Sequence, residues 1–265
     1  MILRSSSFAA FKRCIRYGYY AYTKGLVLKD AKLSHDLEYG RLLHDAADMY
    51  IKTGDIEDGI KLLQQSDLPQ TGRKSKVMAS ILLRNYKKKF SGFKFLESEF
   101  NRFNGQDLEL SIGKHIWRLR IDSLVNFQEK IMVVENKTTK SEYLLINPND
   151  QFISYYITVK QVIPDLNGMI LASLDSDAVD VNLSFFSSPV ERCQEWLKET
   201  EYYADYIEKC HEDNIFPKIP SGCMMYGPWK KCIYLPLCQL DNEIERQAMI
   251  KDKYEINQEA LNLSW

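Results

Sequence analysis

The stretch from Arg118 to Lys137 constrains this chain most, because it sets two segments of strand character back to back and ends the second in charge. Trp117, Leu119 and Ile121 alternate with Arg118, Arg120 and Asp122, the period-two pattern of a strand with one buried and one polar face. A turn around Asn126 to Glu129 follows. Ile131 to Val134 is then continuously apolar, as in a central strand covered on both faces, and it closes with Glu135-Asn136-Lys137. Glu135 and Lys137 point one way and Asn136 the other.

Charge at the end of a buried strand needs a partner, since an unpaired carboxylate in a low-dielectric site costs several kcal/mol (roughly). Two carboxylates, Asp122 and Glu135, suit a hard divalent cation such as magnesium. A neighbouring lysine suits a water or the negative charge that develops on a phosphate. The plain alternative is a salt bridge between Glu135 and Lys137.

The 265 residues are enough for one domain with an appendage. With Lys+Arg 35 against Asp+Glu 36, the net charge is -1, so any nucleic-acid surface must be a local basic patch. No signal peptide and no run of about 20 apolar residues stand out, so a cytoplasmic protein without a membrane partner is expected. Gly72-Arg-Lys-Ser75 has only part of a phosphate loop and the full Gly-x4-Gly-Lys-Ser/Thr pattern is absent, so no ATPase motor is expected. Lys87-Lys88-Lys89 reads as a solvated face first and a phosphate contact second.

Helices are expected over Ser5 to Tyr22, ending at Gly25, over His35 to Lys52, Ile56 to Gln65, Lys74 to Phe90, Pro148 to Val162 and Pro189 to His211. Further strands are expected at Phe95 to Phe100, Leu108 to Ile112, Met169 to Leu174 and Val179 to Phe185. Gly40 and His44 lie one turn apart on the second helix, where glycine is a poor helix former unless something must come close. Gln151 and Tyr155 are likewise one turn apart. Cys14 stands alone near the start, while Cys223, Cys232 and Cys238 cluster in a Pro/Gly-rich loop near the end. Residues 241–265 form a polar, charged tail.

The ordered set Gly40-x3-His44, Asp122, Glu135-x-Lys137 and Gln151-x3-Tyr155, on helix, strand, strand and helix, resembles the PD-(D/E)xK nuclease superfamily in its RecB-like branch. One cysteine before that core and three after it, Ser7-Phe-x6-Cys14-x2-Tyr17 and Cys223-x8-Cys232-x5-Cys238, resemble the iron-sulfur members such as the AddB nuclease domain and the CRISPR-adaptation exonucleases. This chain departs from the pattern in Arg118-Leu-Arg120, where glycine is often found before the aspartate, and in Asn136, where small or aliphatic residues are common.

The resemblance implies an α/β fold: a restriction-endonuclease-like mixed central sheet flanked by helices, with an N-terminal helical region and a C-terminal iron-sulfur loop. It implies a nuclease domain over 1–240 with a helical insertion at about 53–92, and a tail over 241–265. It further implies that Asp122 and Glu135 hold Mg2+ or Mn2+, with His44 and the carbonyl of Asn136 completing the shell. Lys137 would position the attacking water, and Gln151 and Tyr155 would steady Lys137 or touch the DNA backbone. Cys14, Cys223, Cys232 and Cys238 would bind a 4Fe-4S cluster, with Zn2+ as the rival at the same thiolates. The activity implied is a DNA exonuclease acting on single-stranded or end-processed DNA in recombination, repair, phage replication or spacer acquisition, with recombination or replication proteins as partners. The alternative is a non-cleaving DNA-binding or assembly subunit, and RNA is a third substrate class.

Overall fold

The computed structural model describes residues 1–29, 35–100, 102–103, 106–138, 150–187, 190–223, 231–258 and 261, and the chain divides into two units. The first to consider comprises residues 33–108 and 119–193. Its five-stranded sheet runs in the order Asp180–Phe186, Leu166–Asp175, Lys130–Lys137, Ile121–Phe127, Lys94–Phe100. Every neighbouring pair is antiparallel except Lys130–Lys137 with Leu166–Asp175, which is parallel. A parallel pair needs a crossover, and the helix Asp150–Val162 lies on that connection. Val133, Val134, Ile170, Leu171 and Ala172 in the two parallel strands are wholly buried, so the continuous apolar run at Ile131 to Val134 does mark a strand covered on both faces.

Ile121–Phe127 and Lys130–Lys137 form a hairpin whose two turn residues, Gln128 and Glu129, have φ of 51° and 65°. Two left-handed residues in succession match the twist of the strands they join. Asn126 Oδ1 accepts the Glu129 N–H at 3.1 Å and holds the turn without a glycine.

Three helices, His35–Thr53, Ile56–Gln65 and Lys76–Lys89, form a core with the sheet in which Tyr39, Leu43, Leu82, Leu83, Tyr86, Val125, Val134 and Ile170 are buried together. Asp55 and Ser75 cap the second and third by accepting the N–H groups of Glu57 and Met78. Ser75 is therefore a helix cap, which accounts for the serine after Gly72-Arg-Lys. Gly59 is required by packing: a Cβ there would lie 2.5 Å from the Ala46 carbonyl oxygen.

The other unit comprises residues 1–32, 109–118 and 194–265. In it His115–Arg118 pairs with Glu109–Ile112 and, in parallel, with Ile2–Leu3. Trp117 is buried edge-to-face against Phe8 at 5.2 Å and Trp196 at 5.1 Å, with Trp196 on the helix Val190–Glu212. The alternating run Trp117 to Asp122 is thus not one strand. It stops at Arg118 and restarts at Ile121 in the other unit's sheet, because alternation records which side chains are buried and not which strand is the neighbour. Asp122 accordingly sits near the start of its strand.

The single helix expected over Ser5 to Tyr22 is also divided. Ser5–Arg13 ends at Cys14, which is extended (φ -167°, ψ 121°), and Ile15–Gly18 and a π-helical turn Tyr19–Thr23 follow. The break is made by chain some 200 residues away: the Arg13 guanidinium donates to the Gly222 carbonyl at 3.0 Å, Arg16 Nε to that of Phe216 at 2.8 Å, and the Arg16 N–H to that of Pro217 at 3.2 Å. Gly25 follows with φ 61°. Within the polar tail, Glu243–Lys253 is a helix capped by Asn242, and Tyr254–Ile256 pairs with Leu26–Leu28. Tyr254 is buried beside Tyr20, Leu26, Tyr234 and Leu237, and its hydroxyl donates to the Ile233 carbonyl at 2.7 Å, so this part of the tail belongs to the core of its unit. Pro148 and Pro189, expected at helix starts, lie outside the described residues. Among the described residues no helix is long and apolar enough to cross a membrane.

Candidate active site

The hairpin register sets Ser123 opposite Val134, which brings Asp122 opposite Glu135 at the end of the sheet away from the turn. The Asn136 N–H donates to Asp122 Oδ2 at 2.7 Å, and His44 Nδ1 stands 3.5 Å from that oxygen. On the Glu135 side, the ammonium of Lys137 pairs with Glu135 Oε1, and Gln151 Nε2 donates to the same oxygen at 2.8 Å and to the Tyr155 hydroxyl at 2.7 Å. The residues expected to act together, His44, Asp122, Glu135, Asn136, Lys137, Gln151 and Tyr155, all lie in one unit and are joined by these contacts.

Glu135 is 2% exposed, and its Oε2 has no hydrogen-bond partner among the described residues. Burial pushes its carboxyl up to about 7, the charge of Asp122 adds to that, and Lys137 and Gln151 pull it back. Burial also drives the Tyr155 hydroxyl well above its ordinary value, with Glu135 adding to it. An orphaned buried carboxylate oxygen costs about 1–3 kcal/mol. Together with a second carboxylate and an imidazole, it is the donor set that a hard divalent cation relieves, so the residues fit magnesium or manganese.

Gly40 answers to a close approach: a Cβ there would lie 2.7 Å from Thr138 Oγ1, one residue beyond Lys137. Thr138 was not anticipated, since a glycine announces a neighbour without naming it. Arg41, Asp45 and Asp48 line a cleft of about 220 Å³ with His44, Arg120 and Asp122. A signal existed for them, because 41, 44, 45 and 48 share one helical face. Tyr86 was also missed. It is fully buried, with its hydroxyl beside Asn136 and within reach of the Asp122 charge; burial and then that charge push it far up.

The four cysteines lie in the other unit. Cys14 and Cys232 are buried, Cys223 and Cys238 half-buried. Cys232 N–H donates to the Cys223 carbonyl at 3.1 Å, the Ile219 N–H points at Cys14 Sγ from 3.4 Å, and a Cβ on Gly222 would sit 3.2 Å from that of Cys14. Burial raises the thiols of Cys232 and Cys238. Negative charge on Cys14 raises both further, whereas Arg13 lowers the first, and Arg16 and Lys218 the second. No three of these sulfurs lie within 4.8 Å of one another. Tetrahedral zinc, with Zn–S of about 2.3 Å, needs sulfurs about 4 Å apart.

One other group of potential metal donors is His115, Asp205 and Glu208, also in this unit. His115 Nε2 lies 3.0 Å from Asp205, while Lys114 approaches Asp205 at 3.5 Å and pairs with Glu208. The hydrogen bond from His115 chiefly holds Asp205 below the usual carboxylate range, and Lys114 does the same for Glu208. The charge there is already met by protein cations.

Among solved structures, the chain is similar to a Eubacterium rectale protein named "Putative exonuclease", at 15% identity and a TM-score of 0.54, over 91% of this chain and 94% of that one. That likeness shows the fold. SSO0001 is similar at 14% identity over 78% of this chain and 75% of its own, with a TM-score of 0.37. No curated protein matches the chain. The model of the PD-(D/E)XK nuclease superfamily matches residues 5–239, an interval that holds every residue of the site just described, and the chain belongs to that superfamily.

Proposed function

We propose that the chain is a metal-dependent DNA exonuclease that hydrolyses phosphodiester bonds in single-stranded or end-processed DNA during recombination, repair or phage DNA metabolism. The observation that carries this is the buried, unpartnered Glu135 Oε2 beside Asp122 and His44, with Lys137 on the same carboxylate. A superfamily member that had lost cleavage would have no reason to keep a buried carboxylate oxygen without a hydrogen bond. The name of the Eubacterium rectale protein agrees with exonuclease as the mode of attack.

In this reading Asp122, Glu135, His44 and the Asn136 carbonyl hold Mg2+ or Mn2+, which when bound supplies Lewis acidity at the scissile phosphate. Lys137 orients the attacking water and meets the negative charge that develops on the phosphate. Gln151 fixes Glu135 Oε1 and the Tyr155 hydroxyl together, so Glu135 keeps its other oxygen free for the cation. The Asn136 N–H fixes Asp122. Labelled single- and double-stranded DNA with Mn2+ tests the reading: progressive loss of terminal nucleotides that disappears in Asp122→Ala supports it. No cleavage of any DNA leaves the non-cleaving subunit, and cleavage of RNA alone replaces the substrate.

We also assign the chain to the RecB-like iron-sulfur branch, with a 4Fe-4S cluster on Cys14, Cys223, Cys232 and Cys238. The support is four thiols in one unit with Arg13, Arg16 and Lys218 near them, and Zn2+ at the same thiolates is the rival. The group would tie residue 14 to residues 223–238 and act on folding rather than on hydrolysis, which transfers no electrons. Anaerobically purified protein should be brown, and Cys232→Ala should lose both colour and stability. A colourless, stable and fully active Cys232→Ala protein removes the assignment.

A further inference from the structure

The strand Lys130–Lys137 has two faces, and the nuclease site uses the side chains of only one of them near its end. Glu135 points to the helix Asp150–Val162, where Gln151 meets it. Val134 points the other way, into the core that the helix Lys76–Lys89 shares with the sheet, and Asn136, two residues on, shares that face. There the Asn136 side chain lies beside the hydroxyl of Tyr86. Tyr86 is 0% exposed and Asn136 3%. Neither the Tyr86 hydroxyl nor Asn136 Oδ1 has a hydrogen-bond partner among the described residues.

Packing accounts for the Tyr86 ring but not for its hydroxyl. The ring lies against Phe90, with centres 4.5 Å apart, and near Phe95 at 6.4 Å, contacts that phenylalanine would keep. Buried apart, a hydroxyl and an amide oxygen each cost free energy, but they are complementary: the phenol O–H donates and the amide oxygen accepts, so one small shift satisfies both. Such a shift matters at Asn136 because of what its main chain holds. The register with Ile121–Phe127 ends at Ser123 and Val134, and on that edge the Asn136 N–H is spent on Asp122 Oδ2 at 2.7 Å. On the other edge Asn136 pairs with Ala172. A cation that draws on Asp122 and on the Asn136 carbonyl therefore acts on the same peptide that carries the side chain facing Tyr86.

We infer that Tyr86 is a positioning residue of the nuclease site: its hydroxyl closes onto Asn136 Oδ1 when the site takes up its divalent cation, and so locks the main chain that holds Asp122 and presents the Asn136 carbonyl. The inference rests on the proposed metal-dependent hydrolysis and deepens it, since it assigns part of the support for the cation to a residue that touches neither the ion nor the substrate.

The test uses the full-length protein and Mn2+ alone, with binding followed by loss of the EPR signal of the free ion; the ion that is lost in Asp122→Ala defines the site. Tyr86→Phe should bind that ion about 2- to 10-fold more weakly, the worth of one neutral hydrogen bond. Its unfolding midpoint in EDTA should nevertheless equal or exceed that of the wild type, because an unpartnered buried hydroxyl has been removed. A hydroxyl that served the fold alone would lower the midpoint and leave the affinity unchanged. Asn136→Leu should show the same loss of affinity, and the double variant no more than either single one, since both remove the same bond. Unchanged Mn2+ affinity in Tyr86→Phe overturns the inference and leaves the nuclease reading standing. Losses that add in the double variant, or a lower midpoint of Tyr86→Phe in EDTA, overturn it as well. A wild-type protein in which no bound Mn2+ depends on Asp122 overturns the nuclease reading together with the inference.

Discussion

Glu135→Gln should make the metal-free protein more stable at pH 8 while abolishing cleavage. In the folded chain the Glu135 carboxyl is raised from 4.5 to about 7, first by burial and then by Asp122. Between these values the folded state binds more protons than the unfolded state, so stability falls as pH rises through that window, and the whole penalty is present above about 7. At 1.36 kcal/mol per unit the penalty is at most about 3 kcal/mol. Glutamine retains an acceptor for Gln151 and carries no charge into the site. Thermal unfolding in EDTA should give nearly equal midpoints for the two proteins at pH 5, and at pH 8 a midpoint higher in the variant by several degrees, about 10 °C at most. Mn2+ at 1,000 times its Kd should reverse the order, since it adds about 4.1 kcal/mol to whichever protein binds it. A difference that does not change with pH, or a less stable variant at pH 8, would refute the claim that burial and Asp122 outweigh Lys137 and Gln151 at Glu135 in the metal-free state.

Three further substitutions probe the geometry around the site and the packing that supports it. Gly40→Ala places a methyl 2.7 Å from Thr138 Oγ1; because that side chain can rotate, the unfolding midpoint should shift little, but Thr138 should move and the rate of DNA cleavage fall about tenfold. Gly59→Ala meets the Ala46 carbonyl and Leu83 Cδ2, which cannot retreat so easily, and urea titration should show a loss of about 1–3 kcal/mol. Tyr254→Ala removes a buried ring and its bond to the Ile233 carbonyl, and should cost about 3–5 kcal/mol by the same titration, whereas an unchanged midpoint would mean that residues 241–256 are not built into their unit.

What could be read in the sequence was whatever its own local spacing determined. Glu135 and Lys137 share a strand face because they are two apart, and Gln151 and Tyr155 share a helix face because they are four apart; the fold then joins the two pairs through the Gln151 bond to Glu135. The positions of Arg41, Asp45 and Asp48 on the face of His44 were open to the same reasoning. What could not be read depended on distant chain. The alternation through Trp117 and Asp122 is continuous although the strands on either side of Leu119 belong to different sheets, and nothing in a pattern of burial marks where pairing changes. Cys14 interrupts a helix of unbroken apolar periodicity because carbonyls of Phe216, Pro217 and Gly222 capture donors of Arg13 and Arg16. Asn136 combines both cases: its main-chain N–H fixes Asp122 as part of the hairpin, while its buried side chain faces Tyr86, some fifty residues earlier. The polar side chain of Asn136 thus lies beside a second buried polar group, the Tyr86 hydroxyl, and only the fold brings the two together.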